Sequence, residues 1–233
     1  MKRALTVHQY FHELLRGRSI FLLVSLLLLF LIDPVFSAGG VGIALSELLF
    51  SVVLLTSVYT LSLRRSHAWI AVLLAAPAIA SVWIAVFVPS IILRVAALVL
   101  LLLFLVYTLT LTLWRVFTAE TVTGDTIAAA LNVYLMAGFA WSSVYTILFI
   151  LSPDAFHVPE PPAQDGLFLT PVRFQAFVYF SFVTLTTVGY GDILPMSRAA
   201  RAFANLEAIL GQFYLAVLVA RLVSQHASSR ARD

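Results

Sequence analysis

Five stretches of this chain, residues 41–63, 68–88, 91–114, 127–151 and 199–223, are each an almost unbroken apolar run. Crossing the hydrocarbon of a bilayer takes roughly 20 such residues. A sixth stretch, 19–37, is interrupted near its end by Asp33 and Pro34 but is still long enough. In lipid every backbone N–H and C=O needs an internal partner, so runs of this kind predict helices. A seventh apolar piece, 174–188, is too short to cross and carries Thr184, Thr186 and Thr187, which predicts a segment that enters the membrane and returns. Composition agrees with a chain whose solvent is lipid. Charged residues make up 11% of 233, against about 25% in a water-soluble domain, and the mean hydropathy is +1.02. The expected fold is an all-α membrane protein of six transmembrane helices.

Lysine and arginine set the orientation. Lys2, Arg3, Arg16, Arg18, Arg64, Arg65, Arg115, Arg221, Arg230 and Arg232 all fall on one side if six spans alternate, against Arg94, Arg173, Arg198 and Arg201 on the other. Both termini are expected in the cytoplasm of a multi-pass protein of the plasma membrane, which in a bacterium is the inner membrane. The run 20–32 followed by Ser37, Ala38 and Gly39 has some features of a cleavable leader, but Asp33-Pro34 interrupts it, and retention is expected. Val7, Tyr10, Phe11 and Leu14 share one helical face, so residues 1–18 predict an amphipathic helix on the cytoplasmic leaflet. The net charge of +3 is dispersed, which argues against nucleic acid. The absence of cysteine removes disulfides, thiolate chemistry and zinc–sulfur sites, and the five histidines have no metal-ligand spacing. No cofactor and no enzyme activity is expected. The ten residues after Val223 are expected to hold no ligand-binding domain.

The polar exception is Thr186 to Asp192, TTVGYGD. Successive carbonyls point one way into a pore only if alternate residues take backbone angles that L-residues avoid and glycine adopts freely. Gly189 and Gly191 alternate with Val188 and Tyr190 in that way, and Thr187 adds a hydroxyl at the inner end. One chain offers too few oxygens to replace an ion's hydration shell. Four chains around an axis offer rings of four, so the motif implies a homotetramer.

Through Thr187, Val188, Gly189, Tyr190 and Gly191 the sequence resembles the potassium-channel family, whose filters use this loop. The resemblance implies potassium ions at Thr187, Val188, Gly189 and Tyr190, and a pore helix over 174–186. It implies that Asp192 closes the filter at the outer mouth, supported by Thr186 and by Tyr179, whose phenol either bonds the acid or packs at a subunit boundary. Asp192, Asp154, Glu160 and Asp165 together make that mouth electronegative. Gly211 matches the family's gating hinge. Bending and close helix packing both explain a glycine there, and bending is favoured. Gln212, Leu215 and Val219 follow at helical spacing as cavity lining. Glu207 is expected beside the filter, either facing the cavity or, as favoured, bonded to Ser181 or Thr184 of the pore helix. Asn132 is read as an interhelical hydrogen bond, and Ser197 as the cap of the last helix.

Four spans before a two-span pore is the layout of voltage-gated potassium channels, but their arginines at every third residue of the fourth span are absent: after Arg94 those positions hold Ala97, Leu100, Leu103 and Val106. Arg94 is expected to pair with Glu47. The chain thus divides into an amphipathic segment 1–18, a charge-poor four-helix domain 19–115, a cytoplasmic linker 116–125, a pore domain 126–225 and a tail 226–233. The function expected is passive, weakly voltage-dependent potassium conduction. The alternative is a non-conducting or modulatory subunit of a potassium channel or transporter.

Overall fold

The apolar stretches become helices whose ends are fixed by small polar residues. The computed structural model describes residues 17–36, 40–61, 65–88, 90–159 and 171–230. In order these form α1 (Ser19–Phe36), α2 (Gly40–Leu61), α3 (Arg65–Phe87), α4 (Ile91–Thr118), α5 (Gly124–Leu151), a 3-10 turn (Pro153–Ala155), β1 (Phe156–His157), α6 (Pro171–Leu185), β2 (Leu194–Pro195) and α7 (Arg198–Arg230). The two short strands pair antiparallel, Phe156 opposite Pro195 and His157 opposite Leu194. Ser90 caps α4 by accepting from the Leu93 amide. Thr123 and Thr126 form a reciprocal capping box at α5, and Ser197 accepts from the Ala200 amide at 3.1 Å to start α7. Each cap satisfies an N-terminal amide that the helix itself leaves orphaned.

Among the described residues, four segments are long and apolar enough to cross a membrane: Ala44–Leu61, Ile91–Thr118, Gly124–Leu151 and Arg198–Arg221. α1 and α3 contribute shorter apolar stretches, Ser19–Leu31 and Trp69–Ser81. The amphipathic segment expected at 1–18 lies outside the described residues up to position 16, as do Glu160, Asp165 and the last three residues of the tail. The linker expected at 116–125 is shorter than its sequence suggested. α4 runs on to Thr118 and α5 starts at Gly124, because nothing from Val116 to Thr118 breaks a helix and Thr123 caps the next one.

Polarity is arranged for lipid. Trp69, Leu73, Ile92 and Trp114 are among the most exposed side chains, whereas Ser25, Ser51, Ser57, Thr108, Thr112, Ser142 and Ser143 are buried between helices. Small hydroxyl residues let helix backbones approach, as is typical of membrane helices, and Ser25, Ser51, Ser142 and Ser143 bond the preceding turn. α1–α4 pack in sequence order, and both α1 and α4 lie along α5. Their core joins Leu22, Leu26, Leu54, Phe104 and Leu105 to Met136 and Phe139 of α5.

Polar clasps tie this unit to α5 and α7 at one end of the bundle. Asp125 accepts from the Ser19 amide at 2.9 Å, which caps α1, and pairs with Arg115 at 3.3 Å. Arg115 also donates to the Ser19 hydroxyl. Asn132 donates to the Ser19 carbonyl at 2.8 Å, an interhelical bond as expected. Arg221 of α7 donates to the carbonyls of Phe117 and, at 2.8 Å, Ala119, so the inner helix caps the C-terminus of α4. Asp125→Ala is expected to lower stability by about 1–3 kcal/mol, the cost of stranding the Ser19 amide and Arg115. Thermal unfolding in detergent checks this, and an unchanged midpoint would show that the clasp contributes nothing.

Candidate functional site

The segment after α6 has no regular structure, and α6 builds it. The last four carbonyls of a helix have no intrahelical partner. In α6 all four are used. Phe182 O accepts the Thr186 amide at 3.0 Å, Val183 O those of Val188 at 3.0 Å and Gly189 at 3.3 Å, and Thr184 O that of Thr187 at 2.9 Å. Leu185 O accepts from the Tyr134 hydroxyl of α5 at 3.2 Å. The chain is therefore turned back on the helix that precedes it.

Beyond that turn the backbone alternates. φ is positive at Thr187 (60°), Gly189 (59°) and Gly191 (77°), and at no other non-glycine residue among those described. Positive φ is costly for a β-branched residue such as Thr187 and marks a position the surrounding structure holds. In the single chain all of residues 187–191 are exposed. Tyr190 is 71% exposed; its ring stacks on Tyr179 with centroids 6.3 Å apart and planes 3° apart. The Tyr179 hydroxyl also bonds Asp192 and holds that carboxyl below the usual carboxylate range. Of the two readings of Tyr179, the hydrogen bond to the acid is the one observed.

A wall of rings stands behind α6. Tyr145 and Phe149 of α5, Phe156 of β1, and Phe177 and Phe180 of α6 form one cluster. Ring centroids lie 4.9 Å apart for Phe156–Phe177 and 5.1 Å for Tyr145–Phe180. Such edge-to-face pairs hold α6 against α5 and β1.

α7 meets this assembly along a narrow stripe, Ala200, Ala204, Glu207 and Gly211, its only buried positions among those described. A Cβ on Gly211 would lie 2.7 Å from Leu185 O. Close packing is thus a reason for this glycine, whereas the sequence had favoured bending; α7 runs unbroken through it. Glu207 bonds Ser181, one of the two residues named from sequence, and Tyr145, which was not foreseen. Tyr145 was hidden because its partner is 62 residues away and nothing local distinguishes it from a lipid-facing tyrosine. Gln212, Leu215 and Val219 are exposed on α7. Arg94, far from this site, has a buried Nε without a hydrogen-bond partner and feels the charge of Glu47.

Residues 134–226 match a family model described as an ion channel. Over 75 residues, 31% of this chain and 16% of the relative, the sequence is 40% identical to the voltage-gated potassium channel Kch of Escherichia coli (strain K12). It is 31% identical over 97 residues to two-pore potassium channel 3 of Arabidopsis thaliana, covering 41% of this chain and 18% of the relative. It is 36% identical over 91 residues to protein LctB of Geobacillus stearothermophilus, covering 38% and 62%. The matched region spans less than two thirds of the length of each of these relatives. No solved structure matches the chain significantly. α6, the turned-back segment and α7 up to residue 226 lie in the stretch that is similar to ion-channel domains, with potassium channels among the relatives it resembles.

Proposed function

We propose that the protein is a potassium-selective channel, a homotetramer in which four copies of Thr187, Val188, Gly189, Tyr190 and Gly191 surround one axis. The observation that carries this reading is the alternation of positive φ at 187, 189 and 191. Rings of oxygens from four chains replace the hydration shell of a potassium ion as it passes, and the ion is cargo. The exposed faces of α7 support the assembly: Phe203, Leu206, Ile209, Leu210 and Phe213 are uncovered in the single chain. Gln212, Leu215 and Val219 line the inner cavity, and Asp192 and Asp154 draw cations to the outer mouth. The protein is a six-span protein with both termini in the cytoplasm of a plasma membrane.

Opening responds weakly to voltage. Moving one charge through 100 mV yields about 2.3 kcal/mol, and steep gating uses about 3–4 charges per subunit. In the apolar part of α4 the only basic residue is Arg94, near its outer end. The test is potassium against sodium flux through purified protein in liposomes at several voltages. The expected result is strong preference for potassium with shallow voltage dependence. Equal sodium and potassium flux overturns the function, and a steep rise abolished by Arg94→Gln overturns the account of gating.

A further inference from the structure

Glu207 sits in the first third of α7 with 0% of its surface exposed. Its two oxygens each meet one hydroxyl at 2.5 Å, Oε2 that of Tyr145 on α5 and Oε1 that of Ser181 on α6. No arginine, lysine or histidine among the described residues pairs with it. From the helices packed against α7, the titratable groups its charge reaches are Tyr145 and Tyr134, both on α5. On α6 it meets Ser181, which does not titrate. A carboxylate buried in this way, with no cation, is among the most costly groups a protein can hold.

Counting hydrogens resolves the cost. The Ser181 hydroxyl has one hydrogen, and its oxygen lies 2.8 Å from the Gly138 carbonyl and 2.5 Å from Oε1 of Glu207. A carbonyl only accepts. If the single hydrogen of Ser181 goes to Gly138, the contact with Glu207 requires a hydrogen on the carboxyl. A neutral Glu207 then donates to Ser181, Ser181 donates to Gly138, and Tyr145 donates to Oε2. Every donor is used and no net charge is buried.

We propose that Glu207 is a proton-binding site, that its carboxyl is protonated in the conducting channel, and that losing this proton to solvent stops conduction. The inference rests on the channel reading above. An ionised Glu207 must draw the Ser181 hydrogen away from Gly138, which releases the tie between α6 and α5 and leaves a charge beside the base of the filter. The effect reaches the ion path because the Val183 carbonyl, two residues beyond Ser181, holds the amides of Val188 and Gly189.

The experiment measures potassium flux in liposomes for the wild type and E207Q, titrated from neutral to strongly alkaline pH, with infrared spectra of both proteins at neutral pH. Glutamine keeps the neutral pattern, its amide donating to Ser181 and its oxygen accepting from Tyr145. The wild type is expected to lose most of its flux as pH rises, E207Q to show no such loss, and a protonated-carboxyl band to be present in the wild type and absent from E207Q. A wild-type flux that does not fall, an E207Q flux that falls in parallel, or a wild type without the band overturns the proposal. A wild type that shows the band but passes no potassium at any pH overturns the channel reading and leaves the proton site standing.

Discussion

Gly189→Ala is expected to abolish potassium flux. In this chain a Cβ at position 189 meets nothing within 4 Å, so collision with a neighbour is not the cause. The cause is the backbone. At φ +59 an L-residue brings Cβ against its own carbonyl, at about 1–2 kcal/mol per residue. Four chains incur it together, about 4–8 kcal/mol per assembly, which rotating the peptide relieves by turning a carbonyl out of the ring. Assembly is expected to persist, since α6 and α7 keep their contacts, while flux through reconstituted protein disappears. Selective flux at the wild-type rate would refute the carbonyl-ring account of conduction.

The second large effect is expected at Gly211. Alanine there places its Cβ 2.7 Å from Leu185 O and 2.9 Å from Leu185 Cδ1, closer than real Cβ contacts come. The carbonyl cannot retreat, since the Tyr134 hydroxyl holds it at 3.2 Å, so α7 must move away from the pore helix. Overpacking of this kind costs about 1–3 kcal/mol. Gly211→Ala should therefore lower the thermal midpoint in detergent and reduce flux together. A hinge makes the opposite prediction, an unchanged midpoint with altered open time, because alanine stiffens a helix without disturbing its packing. Measuring both quantities on one preparation separates the two roles.

The stretch from α6 to Asp192 was the most legible part of the sequence because its determinants are local. The short apolar run 174–188 became α6, ending at Leu185, and Gly189 and Gly191 stand at the backbone angles that gave reason to notice them. Helix ends were less legible. Thr123 caps α5, while Asp125, two residues on, caps α1 instead. Residues 106 positions apart in sequence cannot be matched by reading either neighbourhood. Arg221 counted only as cytoplasmic charge, yet its guanidinium is bound to the end of α4.

By itself the sequence determined that the chain lives in lipid, where its helices run to within a few residues, and where the backbone departs from them. Length and apolarity dictate spans, and only glycine takes φ > 0 freely, so both are written residue by residue. Tertiary structure alone decided the partners of the polar residues inside the membrane. Helical phase alone left Glu207 two places, the cavity or the short apolar helix, and Gly211 two roles, bending α7 or packing it. The Ser181 and Tyr145 hydroxyls and the Leu185 carbonyl settle where each of them sits. The physical reason is that in hydrocarbon a polar group takes whichever partner three-dimensional packing brings within hydrogen-bond reach, and helical phase fixes only the face on which it searches.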